Sequence, residues 1–234
     1  MSAAKTDLVR VVPAGDAAAL VAFRDEMSLE VTARVHALAK AVEEAQPSAL
    51  IEVVAAYSTL LVHYDPLRLS FDQLESLIHR LMETGLQGRP LDGRVREIPT
   101  VYGGPYGPDI PELSARLHLT EEEIIQMHSG ASFTVCCLGF APGQPYVIGL
   151  PPQLAMPRRE RPRELVPGGS VLIANQTTVY PIANPTGWWL VGRTPLKLFD
   201  PLANPPTYLQ PGDQMKFIPV TEDEYLSMGG EKVE

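Results

Sequence analysis

A loop rich in glycine and proline is the part of the sequence best suited to bind a small molecule. It reads LGFAPGQPY and covers residues 138–146. Its glycines let the backbone come close to a ligand, and its prolines restrict the conformations that the loop can adopt. We therefore predict a binding loop with these candidate substrate-binding residues: Gly139, Phe140, Pro142, Gly143 and Tyr146.

An arginine-rich segment follows this loop and reads PRRERPR over residues 157–163. Guanidinium groups bind a carboxylate or a phosphate through two parallel hydrogen bonds, so a proline-stiffened arginine segment suits a small anionic substrate. Arg158 and Arg163 are the candidate substrate-binding residues here. The alternative interpretation of the same pattern is a solvated charge run at the surface.

Two further residues stand at the ends of this region. His128 precedes the loop, and Arg193 follows the apolar residues of a predicted strand. We take His128 and Arg193 as candidate catalytic residues. They are predicted to converge on one concave site with three others: Arg158, Arg163 and Tyr146.

A polar and β-branched stretch, QTTVY, covers residues 176–180 and predicts a strand. Gln176 and Thr178 on this stretch are candidate substrate-binding residues. Trp188 and Trp189 come after a predicted tight turn, and we interpret them as core or rim residues rather than a stacking platform.

The sequence lacks the motifs of an enzyme that works alone. It has no Gly-x-Ser-x-Gly element, no phosphate-binding Gly-Lys-Ser loop, no dinucleotide fingerprint, and no close pair of His or Cys at metal-ligand spacing. We therefore predict no metal site, and we disfavour a self-sufficient hydrolase or metalloenzyme.

The charge pattern and the first residues limit the expected partners and location. The formal net charge is −9, and the 19 Lys and Arg residues are scattered apart from the arginine segment. Such a chain has no basic face for a nucleic acid. Because the first residues, MSAAKTD, lack the apolar stretch of a signal peptide and no window reaches the ~18 apolar residues of a spanning helix, we expect a cytoplasmic protein that does not bind a membrane.

The first part of the chain has alternating strand and helix signals. Residues 8–23 predict strand, turn, strand. A helix follows, with Ser28 as its N-cap and Pro47 beyond its end. Its apolar residues recur at helical spacing: Val31, Val35, Leu38 and Val42.

Two strand-like runs follow, over residues 50–57 and 59–64. Ser70 and Gln73 then form a capping-box pattern that predicts the start of a second helix, and Gly85 suits its end.

A further strand is predicted over residues 94–101. The order strand, helix, strand, strand, helix, strand is that of a ferredoxin-like α+β domain, which we assign to residues 1–93. Later, Thr120 and Glu123 form another capping box, and from residue 132 onward short apolar runs are broken by Pro or Gly without a helical period. We therefore assign residues 94–234 to an all-β barrel domain that holds the substrate site.

Two long strings of the second half carry a family resemblance, namely LGFAPGQPYVIGL and MPRRERPRELVPGGSVLIANQTTVYPIANPTGWWLVGRTPLKLFDP. Three earlier strings, GDAAAL, YSTLLVHYD and VYGGPYGPD, agree with it. Together they strongly resemble the family that includes the B subunit of 5-oxoprolinase, the sporulation-kinase inhibitor and the first subunit of allophanate hydrolase. The resemblance implies a ferredoxin-like N-terminal domain and a cyclophilin-like β-barrel.

The resemblance also implies partners and a cofactor. The B subunit of this family pairs with a carboxyltransferase-like C subunit, and with a lactam-utilisation A subunit it completes the ATP-dependent opening of 5-oxoproline, a small carboxylate, to glutamate. ATP, with Mg, is expected at the assembled complex and not as a permanently bound group. Because ATP activates the lactam carbonyl by phosphorylation before water attacks, arginines are the residues expected to stabilise the developing charge.

Other members of the family leave two alternatives open, a histidine-kinase inhibitor that uses the barrel as a docking surface and a subunit related to allophanate hydrolase or urea carboxylase. The sequence also departs from the usual family pattern. It has Gln144 in place of Phe, Asn175 near a usual glycine, and Thr186 in place of the first glycine of a Gly-Gly pair. These departures allow a substrate other than 5-oxoproline.

Overall fold

A computed structural model describes residues 9–24, 27–45, 48–84, 91 and 93–233. Contacts within the chain separate two units, residues 1–91 and 92–234. The sequence pattern predicted a division after residue 93.

The first unit contains a four-stranded antiparallel sheet and two helices that share one apolar core. The strand order is β1-β2-β4-β3. The predicted apolar stripe of the first helix is confirmed, because all four of its residues are buried in this core. The elements are β1 (Arg10–Pro13), β2 (Ala18–Ala22), α1 (Leu29–Ala45), β3 (Leu50–Ala55), β4 (Thr59–Tyr64) and α2 (Phe71–Glu83).

The predicted starts of both helices are confirmed. The Ser28 hydroxyl accepts a hydrogen bond from the backbone N–H three residues further on, at 3.2 Å. Ser70 and Gln73 form both hydrogen bonds of the capping box, at 3.3 and 2.9 Å. The predicted helix ends, Pro47 and Gly85, lie outside the described residues.

The predicted connectivity of the first sheet was wrong in one respect. A ferredoxin-like order needs a strand after α2, and we predicted it at residues 94–101. A strand does form there, β5 (Val95–Tyr102), but it pairs in the second unit with β12 (Trp189–Arg193) and β13 (Gln214–Pro219). In the first unit, β1 fills the edge position beside β2 instead. A local apolar pattern indicates a strand but does not specify the strand with which it pairs.

The second unit is built on a seven-stranded mixed sheet with strand order β10-β9-β12-β5-β13-β6-β7. Its two edge strands meet, because the Thr178 hydroxyl on β10 donates a hydrogen bond to the Pro145 carbonyl on β7 at 2.7 Å. The sheet is therefore a nearly closed barrel. The remaining elements are α3 (Ile110–Leu117), α4 (Glu121–Gly130), β6 (Phe133–Leu138), β7 (Pro145–Ile148), a 3-10 turn (Pro152–Leu154), β8 (Arg163–Val166), β9 (Ser170–Ile173), β10 (Thr177–Val179), β11 (Asn184–Thr186) and α5 (Glu222–Ser227).

The second domain is not all β, because helices α3 and α4 lie between β5 and β6 and helix α5 follows β13. The expectation that no helix follows residue 132 was wrong at α5. The predicted capping box at Thr120 and Glu123 is confirmed, at 3.1 and 2.7 Å. A matching box at Thr221 and Glu224 starts α5. We missed that signal because α5 is too short to develop a helical period of apolar residues.

The core of the second unit fills the barrel and extends under α3 and α4. Among the described residues, no helix combines the length and the apolar character needed to cross a membrane. Fully or nearly fully buried members of the core are Ile98, Ile110, Leu113, Ile124, Phe133, Val135, Val147, Val171, Val191, Met215 and Phe217.

Gly107 lies in the loop between β5 and α3, where a Cβ atom would collide with the Val191 carbonyl. We expect Gly107→Ala to lower the free energy of unfolding by about 2 kcal/mol, because the backbone must move apart to admit a methyl group in a close-packed region. Urea denaturation measures the change. Gly130→Ala is the matched control, since nothing lies within 4 Å of its Cβ position at the end of α4. The free energy of unfolding of Gly130→Ala should be unchanged or higher than that of the original protein. If Gly130→Ala lost as much as Gly107→Ala, the steric explanation would be contradicted.

Candidate functional site

The predicted binding loop is a tight turn that presents an aromatic ring to solvent. The Gly139 N–H donates a hydrogen bond to the Gln144 carbonyl at 3.1 Å, and the Gln144 N–H donates to the Ala141 carbonyl at 3.0 Å. Phe140 has a φ of 65° and is 71% exposed. A bulky residue in this left-handed region is uncommon and costs free energy, so the surrounding turn must impose the conformation.

The exposed ring is one part of a cluster formed by Phe140, Tyr146, Arg158 and Tyr180, which we call the aromatic–arginine site. The Phe140 and Tyr180 rings stack with centroids 6.3 Å apart and an interplanar angle of 30°. A Cβ atom at Gly139 would lie 3.8 Å from the Tyr146 ring, so the loop passes directly beside that ring. Arg158 interacts electrostatically with the Tyr146 hydroxyl.

The environment of this site keeps the Tyr146 hydroxyl and the neighbouring Cys137 thiol protonated. Burial raises the pKa of Tyr146, Cys137 and Tyr180 raise it further, and Arg158 opposes the shift. Burial, with a smaller contribution from Cys136, raises the pKa of the Cys137 thiol to about 12. At neutral pH Tyr146 can therefore donate a hydrogen bond to a ligand, whereas Cys137 is no thiolate nucleophile.

The other predicted substrate-binding residues near the loop differ in their burial and their contacts. Thr178 uses its hydroxyl to join the barrel edges through the Pro145 carbonyl. Gly143 is buried and packs against the backbone of the segment after β12, while Pro142 is exposed. Gln176 is half-buried in the turn between β9 and β10.

Two arginines of the arginine-rich segment are held by one buried carboxylate. Asp109, at the start of α3, is 3% exposed. It accepts two parallel hydrogen bonds from Arg163, both at 2.7 Å, and one from Arg159 at 2.6 Å. The backbone N–H of Leu190 on β12 donates a fourth, at 2.7 Å. We call this set the Asp109 clamp.

The clamp assigns the arginines of the segment to different tasks. Arg163, a predicted substrate-binding residue, donates hydrogen bonds from both of its terminal nitrogens to Asp109. Arg159 also lies over the Trp189 ring, 4.9 Å from its centroid, and its backbone N–H donates to the Gly187 carbonyl at 2.7 Å. Arg158 is exposed beside this anchored residue, so its position depends on the clamp.

His128, a predicted catalytic residue, is fully buried between two hydrogen-bond partners. The Thr177 hydroxyl donates to the Leu172 carbonyl at 2.9 Å, so at 2.8 Å it accepts from the His128 Nε2–H. Nδ1 is then the acceptor for the Tyr102 hydroxyl, at 2.7 Å. Burial lowers the pKa of His128 to about 3, so the ring is neutral.

The predicted convergence of one histidine and three arginines is not the arrangement found. His128 engages core partners, Arg163 engages Asp109, and Arg193 donates to the Gly168 carbonyl at 3.2 Å and to Glu231 at 3.0 Å. The His128 ring has no exposed surface and both of its nitrogens are hydrogen-bonded, so it does not contact a substrate as a catalytic residue would. The binding loop and Arg158 do lie together with Tyr146.

The sequence interpretation missed three important residues. Tyr180 carried a usable signal, since the strand period of two puts it on the same face as Thr178. Asp109 and Arg159 carried none, because their pairing joins positions 50 residues apart.

Comparisons with known proteins identify the family of this chain. The model of the family described as carboxyltransferase domain, subdomain C and D, matches residues 9–209. The chain is 39% identical over 222 residues to a protein named as the B subunit of 5-oxoprolinase from Bacillus subtilis (strain 168), covering 90% of this chain and 92% of that one. The family resemblance predicted from the sequence is confirmed.

Two solved structures have a similar fold. TTHA0988 has a TM-score of 0.75 and 36% identity, with 88% of this chain covered. This chain spans only 40% of the length of TTHA0988. Urea amidolyase of K. lactis has a TM-score of 0.75 over 94% of this chain and 15% of that chain, but at 22% identity it shows the fold alone.

Removing the charge of the clamp should destabilise the second unit. We expect Asp109→Asn to lower the free energy of unfolding by about 3 kcal/mol, because it leaves two partly buried guanidinium groups without their counter-charge. Both tryptophans lie in the second unit, so fluorescence during urea denaturation follows its unfolding. The control is Asp200→Asn, which removes the carboxylate of an exposed pair with Lys197 and should leave the midpoint unchanged. A loss at Asp109 no larger than at Asp200 would contradict the clamp's role.

Burial of neutral His128 should make the second unit sensitive to acid. An unfolded histidine takes up a proton near pH 6.5, whereas the folded ring resists protonation until about pH 3. The unfolded state therefore binds more protons in this window, and stability falls as the pH falls. Between pH 6 and 5, we expect His128→Asn to reduce this slope by about 1.4 kcal/mol per pH unit. His118→Asn, at an exposed histidine, should keep the original slope.

Proposed function

We propose that this chain, which belongs to the family of carboxyltransferase domains, subdomains C and D, acts as the B subunit of a 5-oxoprolinase. The observation that carries the proposal is its near full-length similarity to a protein of that name. A substrate site at one end of the barrel, which we take to be of the cyclophilin-like kind, is compatible with that role.

The proposed reaction needs further subunits. A carboxyltransferase-like C subunit, together with an A subunit, completes the enzyme, which breaks the amide C–N bond of 5-oxoproline. Water supplies a hydroxyl group to the carbonyl carbon and a proton to the nitrogen, which gives glutamate, while ATP and a second water give ADP and phosphate. The chain alone is expected to have no turnover.

The residues of this chain do not fit a triphosphate site within the part that the structure describes. Arg159 and Arg163 bind Asp109, and Arg193 is the single cationic side chain in the described lining of its cleft, which is too few for a triphosphate. We therefore assign ATP and Mg to the assembled complex and derive no step through them on this chain. The cytoplasm, where ATP is abundant, is the expected location.

The aromatic–arginine site is our proposed substrate-binding surface. The exposed ring of Phe140, backed by the buried ring of Tyr180, suits the flat lactam ring, and the exposed Arg158 guanidinium suits the carboxylate. Tyr146, with its raised pKa, keeps a proton to donate to the lactam carbonyl. In this arrangement the chain binds and orients the substrate, and the clamp holds Arg158 in position.

The two alternatives from the sequence stay predictions. A histidine-kinase inhibitor would use the barrel surface without turnover. An enzyme component that uses a urea-derived substrate would share the fold seen in urea amidolyase, and that likeness carries no information on the substrate.

Reconstitution tests the proposed function. We expect ATP-dependent glutamate release from 5-oxoproline when this chain is combined with the A and C subunits, and none from the chain by itself. Robust glutamate release by the chain alone, or no glutamate release by the complex, would contradict the proposal.

Conservative replacement of Arg158 tests the substrate-binding surface. We expect Arg158→Lys to lower kcat/KM of the assembled complex roughly tenfold, because a point charge cannot reproduce the two-pronged contact with a carboxylate. Arg161→Lys is the control on the same segment, since Arg161 is also exposed, and its kcat/KM should be unchanged. Size-exclusion chromatography must first establish that both variants assemble. Equal effects at the two positions would favour a solvated charge run.

A further inference from the structure

A cleft of about 380 Å³ lies in the second unit, and its described lining includes none of the four residues of the aromatic–arginine site, although Tyr180 directly precedes Pro181 of its wall. Four segments line it: the turn around Gly168 and Gly169, residues 181–183, the end of β12 from Arg193 onward, and the segment 225–231 that includes and follows the end of α5. Arg193 is the cationic side chain in this lining.

Arg193 is buried and its direction is fixed by the backbone around it. Its side chain is 11% exposed, and Nε donates a hydrogen bond to the Gly168 carbonyl at 3.2 Å. Gly169 has a φ of 81°, and a Cβ atom there would collide with the Thr194 carbonyl and lie 3.5 Å from Arg193 Cγ. The turn therefore packs against the aliphatic part of Arg193, which lines the cleft.

The carboxylate that neutralises Arg193 is an exchangeable one. Glu231 accepts from Arg193 Nη2 at 3.0 Å, yet its side chain is 83% exposed. Asp109, by contrast, has a side chain only 4% exposed and accepts four hydrogen bonds. A buried guanidinium group needs an anion, but an exposed glutamate holds it only weakly, so another carboxylate can take the same place.

The segment that carries Glu231 is anchored independently of this ion pair. The Tyr225 hydroxyl contacts both the N–H and the carbonyl of Glu231, at 3.2 and 3.4 Å. The Gly230 N–H donates to the Tyr225 carbonyl at 3.0 Å, and Gly230 lies so close to the Tyr225 ring that a Cβ atom would not fit. The Glu231 side chain can therefore leave Arg193 while its backbone stays in place.

We infer that this cleft is a binding site for a small carboxylate-bearing molecule, whose carboxylate replaces that of Glu231 on Arg193. Glu231 is then a built-in competitor that occupies the site when no ligand is present. The cleft shares none of its described lining residues with the aromatic–arginine site, and only the choice of 5-oxoproline as the first probe rests on the proposed function.

Calorimetry on the full chain tests the inference with two matched probes. 5-Oxoproline carries the carboxylate, and 5-oxoprolinamide has the same ring without the charge. We expect 5-oxoproline to bind at least tenfold more tightly than the amide. Glu231→Gln should tighten its binding about three- to fivefold, since the competitor loses its charge.

Two variants and a spectrum locate the binding. Arg193→Gln should weaken binding at least tenfold, and Asp200→Asn, which removes an unrelated exposed carboxylate, should leave it unchanged. In a ¹⁵N-labelled sample, the amide signals of the cleft glycines should shift on titration: Gly168, Gly169 and Gly230. The Glu231 variant keeps the test valid even if the Arg193 variant fails to fold.

Several outcomes decide the matter. An unchanged or weaker affinity of Glu231→Gln, equal binding of the amide, or unmoved cleft signals would overturn the inference. If glutarate, a plain dicarboxylate, binds by these criteria and 5-oxoproline does not, the cleft stands as a carboxylate site and the proposed substrate is in doubt. If neither binds while the reconstituted complex releases glutamate, the cleft inference fails and the proposed function stands.

Discussion

The buried carboxylate of Asp109 holds together parts of the second unit that are remote in sequence. It joins the start of α3, the arginine-rich segment and the backbone of β12 through four hydrogen bonds, three of which are charge-assisted contacts from guanidinium groups. Two positive charges close to the apolar core would be costly without it. The proline-rich segment, which has few apolar residues of its own, is attached to the barrel through this contact, through the stacking of Arg159 on Trp189, and through the hydrogen bond from Trp189 Nε1 to the Pro157 carbonyl.

This constraint separates the arginines into groups with different chemistry. Arg159 and Arg163 are structural because their counter-charge is buried and fully used. Arg158 is exposed next to an anchored neighbour, which makes it available at a defined position. Arg193 is buried, but its counter-charge is a solvent-exposed glutamate. Arginine thus attaches a segment, lies exposed for a substrate, or lines a cleft. Which of these it does depends on whether its carboxylate partner is buried, exposed or absent among the described residues.

Buried polar groups away from the arginines follow a similar logic. His128 is tolerated in the core because Tyr102 and Thr177 satisfy both of its nitrogens while it is neutral. Gln144 is different, since its side-chain oxygen is buried and has no hydrogen-bond partner. An unsatisfied buried oxygen costs free energy, and it occurs in the loop that presents Phe140.

The sequence by itself determined the features that depend on residues three or four positions apart, namely the capping boxes of α2 and α4, the apolar stripe of α1, and the glycine and proline turns of the binding loop. It also carried the family, since the two long strings of the second half are specific. Tertiary structure decided which sheet receives β5, which arginines remain free of Asp109, and that His128 is enclosed rather than exposed. These outcomes depend on contacts between positions separated by tens of residues. A local sequence pattern does not specify such a distant partner, because the contact forms only when the whole barrel folds.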